Sequence, residues 1–171
     1  NGCNTIGLTG ADGNMIQAHK RKHATIDYGF AGDIDAVNTD LLQTLLEKNI
    51  AVVAAPITHD AKGQLLNTNA DTIAQEIAKA LSKQYEVRLV YTFEKKGVLM
   101  NVDDENSVIP EIGPAYYAEL KEKQVIFAGM IHKLDNAFTA VQHGVGIVII
   151  GRPEELDHLM DGKHGATIMK A

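Results

Sequence analysis

Two unbroken apolar runs, residues 50–55 and 145–150, constrain this chain more than any other feature. A strand wetted on one face alternates apolar and polar side chains, whereas a strand covered on both faces does not. Both runs therefore read as strands buried on both faces, and amphipathic segments flank them. Leu41, Leu42, Leu45 and Leu46 share a helical face behind a cap at Asn38 or Thr39. Ile73, Ile77, Ala80 and Leu81 recur at helical spacing after Asn69, which reads as the N-cap of a helix running to about residue 82. Met130, Leu134, Ala137, Phe138 and Val141 mark the clearest helix, opened by Gly129 and stopped by Gly144. Pro114 suits the first turn of another helix, and Pro153-Glu154-Glu155 starts a short one. Further strands are expected at 5–8, 87–91 and 166–169. Asp12-Gly13 reads as the tight turn of a hairpin between apolar residues 6–8 and 15–16, with an extended stretch around 25–28 after it. Strands alternating with helices predict an α/β fold, a mostly parallel open sheet sandwiched between helices. The weakest seam, at 83–86, divides the chain into 1–84 and 85–171.

Composition narrows the function classes. With 45% hydrophobic and 22% charged residues the chain is an ordinary globular sequence rather than a disordered one. A net charge of −6 argues against non-specific nucleic-acid binding. The basic run His19-Lys20-Arg21-Lys22-His23 reads as a solvated hairpin tip. Cys3 is the single cysteine, so no intrachain disulfide is available and a reducing, cytoplasmic setting is expected. No apolar run approaches the ~20 residues that cross a bilayer, and no signal-peptide pattern is seen, so no membrane partner is expected. The histidines show no metal-ligand spacing, and Gly7, Gly10 and Gly13 do not make the dinucleotide fingerprint. Neither Ser82 nor Ser107 sits in a nucleophile-elbow motif.

Two segments carry polar chemistry: Asn67-Thr68-Asn69-Ala70-Asp71 and Gly129-Met130-Ile131-His132-Lys133. Each stands where a loop enters a helix, and a helix N-terminus offers unpaired N–H groups and partial positive charge to an anion. Alternation along an extended segment lets Asn67, Asn69 and Asp71 converge on one side. A lysine near a helix start is unfavourable unless an anion is at hand, so Lys133 hints at one. Each feature also has a plainer explanation, a helix cap for the Asn and Asp residues and a solvated surface residue for Lys133.

Taken together the motifs resemble the acetylglutamate kinase branch of the amino-acid kinase family. Gly7-Leu8-Thr9-Gly10-Ala11-Asp12-Gly13 is similar to its G-L-x-G-x-D-G turn, and residues 27–33 to its D-x-G-x-x-G-[DE] segment. Residues 66–72 and 129–133 resemble its two signatures, and Gly165-Ala166-Thr167-Ile168 its closing G-T-x-I with one extra residue. The resemblance implies transfer of the γ-phosphoryl group of ATP, with Mg²⁺, to the side-chain carboxylate of N-acetyl- or N-succinyl-L-glutamate, the second step of arginine biosynthesis. It implies that Asn67 and Asn69 bind the acylated glutamate, that Asp71 orients the catalytic lysines, and that Lys133 stabilises the transferring phosphoryl group. It implies adenine- and ribose-binding loops holding Thr92, Phe93, Gly97, Leu99, Val125, Ile126 and Phe127, with Gly129 and Met130 beside the nucleotide. It further implies an acylglutamate lobe at 1–84, a nucleotide lobe at 85–171, and a homo-oligomer for the complete protein. The family's N-terminal strand with its lysine and Gly-Gly, a second glycine-rich loop and a substrate-gripping arginine are not in this sequence, so this stretch alone is expected to have almost no kinase activity. The loop 91–97 is longer than the family's S-D-x-x-G form, and 151–166 matches nothing expected of its C-terminus. Another amino-acid kinase, or a non-catalytic nucleotide- or amino-acid-binding module on the same fold, stands as the alternative.

Overall fold

Contacts divide the chain into two units, Asn1–Ala80 and Leu81–Ala171. The structure, a computed structural model, describes residues 2–126, 128–161 and 164–168. The fold is α/β, as the alternating pattern predicts, with the strands shared among three hydrogen-bonded sheets.

In the first unit β1 (Thr5–Leu8) runs parallel to β4 (Ala51–Ala54), with Thr5 opposite Ala51 and Leu8 opposite Ala54. A second sheet has the order β3-β2-β5-β6 and comprises β2 (Ile16–Lys20), β3 (Gly32–Val37), β5 (Ile57–His59) and β6 (Leu65–Asn67). Asn38 accepts a bond from the Leu41 N–H at 3.1 Å and caps α1 (Thr39–Glu47) as expected. Helix α2 (Ala70–Leu81) begins behind Asn69 and buries Ile73 and Ala78.

Three expectations fail in this unit. Asp12-Gly13 does not close a hairpin. Residues 12–14 form a 3₁₀ turn with Gly13 and Asn14 at positive φ, and the strands on either side join different sheets. The hairpin partner of β2 is β3, antiparallel to it. Residues 25–28 form no strand, and the extended return begins at Gly32. Finally, the apolar run at 50–55 is not covered on both faces. Among the described residues β4 pairs only with β1, α1 packs on it, and Val53 is 59% exposed.

The second unit meets its expectations more closely. Its sheet has the order β7-β9-β10-β8, from β7 (Arg88–Thr92), β8 (Glu111–Ile112), β9 (Ile147–Gly151) and β10 (Ala166–Ile168). β7 is parallel to β9, β9 antiparallel to β10, and β10 parallel to β8. Pro114 opens α3 (Pro114–Glu122) behind Gly113. Helix α4 (Ala128–Gln142) turns its expected apolar face to β9 and β10, with Met130, Leu134, Ala137, Phe138 and Val141 all buried. Gly144, at φ 104°, adopts the left-handed conformation of a helix stop. A 3₁₀ turn at Pro153–Glu155 leads into α5 (Leu156–Met160), which also packs on β9. Val148, Ile149 and Ile150 are each at most 1% exposed, so this apolar run is a fully buried strand.

Candidate active site

The corner between β6 and α2 is built from its middle residue outward. Thr68 is 3% exposed. Its hydroxyl meets that of Thr58 at 2.9 Å and donates to the Gly32 carbonyl at 3.3 Å. The backbone is pinned as well, the Asn67 N–H donating to Phe30 at 2.8 Å and the Thr68 N–H to Pro56 at 3.0 Å. With Thr68 inward, alternation turns Asn67 and Asn69 outward, and both are exposed. Gly32 is required for this packing, because a Cβ there would lie 2.8 Å from the Thr68 hydroxyl and 2.9 Å from Leu66 Cβ. The side-chain oxygen of Asn69 accepts the Thr72 N–H at 3.1 Å, so Asn69 is the N-cap of α2. Asp71 follows in the first turn and is half-buried.

The turn ahead of β2 is held by Asp12. Its carboxylate accepts the Thr9 N–H at 2.7 Å and the Thr9 hydroxyl at 2.8 Å. These bonds, the backbone one first, lower its pKa. Gly10 donates to the Ile57 carbonyl at 2.6 Å, where a Cβ would meet that oxygen at 2.9 Å. Asp27 likewise accepts the Gly29 N–H at 2.9 Å and is held below the usual carboxylate range, chiefly by that bond.

In the second unit a mainly apolar cavity of about 110 Å³ opens beside the first turn of α4. Phe93, Gly97, Leu99, Val125, Ile126 and Met130, all expected from the sequence, line it, and so do Glu94, Lys95, Val98 and Val102. Thr92, at the end of β7, and Gly129 are not among its lining residues, and Phe127 lies outside the described residues. Val102 gives no signal in the sequence, because it belongs to an irregular excursion between β7 and β8. Gly97 lets that excursion approach the start of β10, where a Cβ would stand 2.8 Å from Val108 Cγ1 and 3.0 Å from the Ala166 nitrogen. The excursion is tied to the end of β9 by Arg152, which donates to Glu105 at 2.8 Å. That bond holds the Glu105 carboxyl below its ordinary range.

One helical turn beyond Met130, the ammonium of Lys133 lies 5.4 Å from the centroid of the Tyr91 ring. Lys133 shares its helix with Met130, which lines the cavity. Asn67, Asn69 and Asp71 thus follow one another at the β6–α2 corner of the first unit, and the cavity residues and Lys133 belong to the second. Among the described residues no group of three or more His, Cys, Asp or Glu side chains could hold a metal ion. A divalent cation that arrives bound to nucleotide phosphates needs no such cluster. No described helix is long and apolar enough to cross a membrane.

Comparison with known proteins gives consistent relatives. The chain is 52% identical over 155 residues to the acetylglutamate kinase of Parabacteroides distasonis, covering 91% of this chain and 61% of that protein. It is 51% identical over 162 residues to the acetylglutamate kinase of Cytophaga hutchinsonii, covering 94% and 61%. The chain therefore spans about 60% of the length of these curated relatives. Among solved structures, the smu.665 protein of Streptococcus mutans UA159 superposes with a TM-score of 0.77 at 30% identity, over 98% of this chain and 62% of that one. A carbamate kinase of Giardia superposes at 0.70 with 16% identity, a likeness of fold. The family model described as the amino acid kinase family matches residues 1–151. On that match and these relatives, the chain belongs to the amino acid kinase family.

Proposed function

We propose that the chain is the larger part of an acetylglutamate kinase, which transfers the γ-phosphoryl group of ATP, bound with Mg²⁺, to the side-chain carboxylate of N-acetyl- or N-succinyl-L-glutamate. The observation that carries this reading is the 52% identity to proteins named acetylglutamate kinase. Residues 85–171 form the nucleotide lobe and 1–84 the remainder of the acylglutamate lobe. The apolar cavity takes the adenine and ribose, with Thr92, Phe127 and Gly129 at its margin. Lys133 neutralises charge on the moving phosphoryl group, Asp71 orients the lysines, and Asn67 and Asn69 hold the acylated glutamate.

The chemistry asks little more of the protein. A glutamate side chain with a pKa near ~4.3 is ionised at neutral pH, so no general base is needed. What remains is positioning and charge stabilisation of a loose, in-line transition state. Lysine ammonium groups, helix N-termini and Mg²⁺ supply that. The N-acyl group keeps the amine from attacking the acyl phosphate. The reaction is the second step of arginine biosynthesis and belongs in the cytoplasm, and the complete protein is a homo-oligomer.

The test uses the complete polypeptide and hydroxylamine, which traps an acyl phosphate as a hydroxamate. ATP-dependent hydroxamate is expected from N-acetyl- or N-succinylglutamate, with little from free glutamate. Equal yield from free glutamate, or none from either acyl form, overturns the assignment.

A further inference from the structure

We propose that Tyr117 and Asp135 are positioning residues that fix the rotation of α4 about its axis and so aim Lys133; the proposal rests on the kinase reading of Lys133. The Tyr117 hydroxyl donates to the Asp135 carboxylate at 2.6 Å and reaches the Ile131 carbonyl at 3.3 Å. Its two contacts on α4 are thus four residues apart and bracket Lys133. The Tyr117 ring stacks on Phe138, with centroids 4.9 Å apart and planes inclined by 21°. Ile131, Asp135 and Phe138 fall on one face of α4, and at about 100° per residue Lys133 lies on the opposite face. One side of the helix is therefore gripped by Tyr117, and the other presents Lys133 to the Tyr91 ring at 5.4 Å.

The grip is directional. Tyr117 is 8% exposed and its ring is wedged between α3 and α4, so the hydroxyl has little freedom to follow a turning helix. Burial first, and then the bond to Asp135, push its phenol pKa up, so it remains a donor at neutral pH. Lys121 supports the pair from α3, with its ammonium 3.6 Å from the Asp135 carboxylate and 4.9 Å from the centroid of the Tyr117 ring. With a side-chain radius of roughly 5–6 Å, a turn of about 10° moves the far face of a helix by ~1 Å. A displacement of ~1 Å at a reacting centre can lower a rate ~10²-fold.

The position of Lys133 can be read without activity. Ring current from Tyr91 shifts the Lys133 ε-methylene protons upfield, and Lys133→Met assigns that signal by its loss. Tyr117→Phe keeps the stacked ring and removes only the donor; Asp135→Ala severs the same bond from the other side. Both are expected to move the Lys133 signal toward the value of a solvated lysine. Both, like Lys133→Met, are also expected to lower the preference of the 171-residue chain for AMP-PNP over adenosine by ~10-fold. Asp135→Asn retains an acceptor and is expected to restore both readouts. If Lys133→Met abolishes the nucleotide preference while Tyr117→Phe and Asp135→Ala leave signal and preference at wild-type values, the positioning role is wrong and the kinase reading stands. If Lys133→Met leaves the preference unchanged, the kinase reading of Lys133 is wrong and the positioning role falls with it. If Tyr117→Phe fails to fold, Asp135→Ala alone decides.

Discussion

Strands β4 and β9 are both unbroken apolar runs, yet β9 is sealed while Val53 of β4 is 59% exposed. The difference lies in their neighbours. β9 stands between β7 and β10, with α4 and α5 packed on it. β4 has β1 at one edge and α1 against it. A run of apolar residues specifies a strand that can be covered; what covers it is decided elsewhere in the chain. The same residue types therefore carry very different energetic weight in the two units.

The contrast can be broken most sharply by truncation. Ile150→Ala in β9, at a site 0% exposed, is expected to destabilise the second unit by about 2–5 kcal/mol, through lost transfer energy and the cavity left behind. Val53→Ala in β4 is expected to cost no more than about 0.5 kcal/mol. Urea unfolding followed by circular dichroism reads both, and comparable losses would show that β4 is covered after all. A glycine pair gives an intermediate effect. Gly97→Ala places a methyl 2.8 Å from Val108 and 3.0 Å from the Ala166 backbone, so a loss of about 1–3 kcal/mol is expected, together with weaker AMP-PNP binding. Gly7→Ala in β1 meets nothing within 4 Å and is expected to be neutral or slightly stabilising. The smallest effect lies on the β2–β3 hairpin, where Arg21 donates to Asp33 at 2.6 Å and, chiefly through that bond, lowers its pKa. A depressed carboxyl adds stability above its unfolded value of ~3.9 and loses it as pH falls through the lower folded value. Asp33→Asn should remove that acid-side loss while costing about 0.2–1 kcal/mol at neutral pH, where an exposed pair contributes little. An unchanged acid limb would mean that the pair does not persist in solution.

Much of this was legible from local chemistry. Asn38 and Asn69 bond the N–H three residues on, and Pro114 and Gly144 begin and end helices, because caps depend only on nearby backbone. The apolar face of α4 was legible because 3.6-residue periodicity survives any packing partner. Asp12-Gly13 misled for the opposite reason: turn residues report a reversal of the chain but not whether the flanking strands pair. Among the cavity residues, Phe93 directly follows β7 and Met130 lies in α4, while Gly97, expected only from the family resemblance, and Val102 reach the cavity from an irregular segment whose path no periodicity encodes. The inward anchoring of Thr68 by Thr58 joins residues ten apart and was likewise beyond a local reading.

The close approach of Gly97 to Ala166 sets an order of events during synthesis. The floor of the cavity is supplied by residues 93–102, but the backbone on which Gly97 rests is supplied at 165–166, and Thr167 bonds the Pro110 carbonyl at 2.8 Å. A ribosome makes the first nearly seventy residues before the second. Until the β10 segment emerges, the excursion that carries Gly97 lacks the backbone it packs against. The cavity lined from 93–102 therefore acquires that support only late in synthesis.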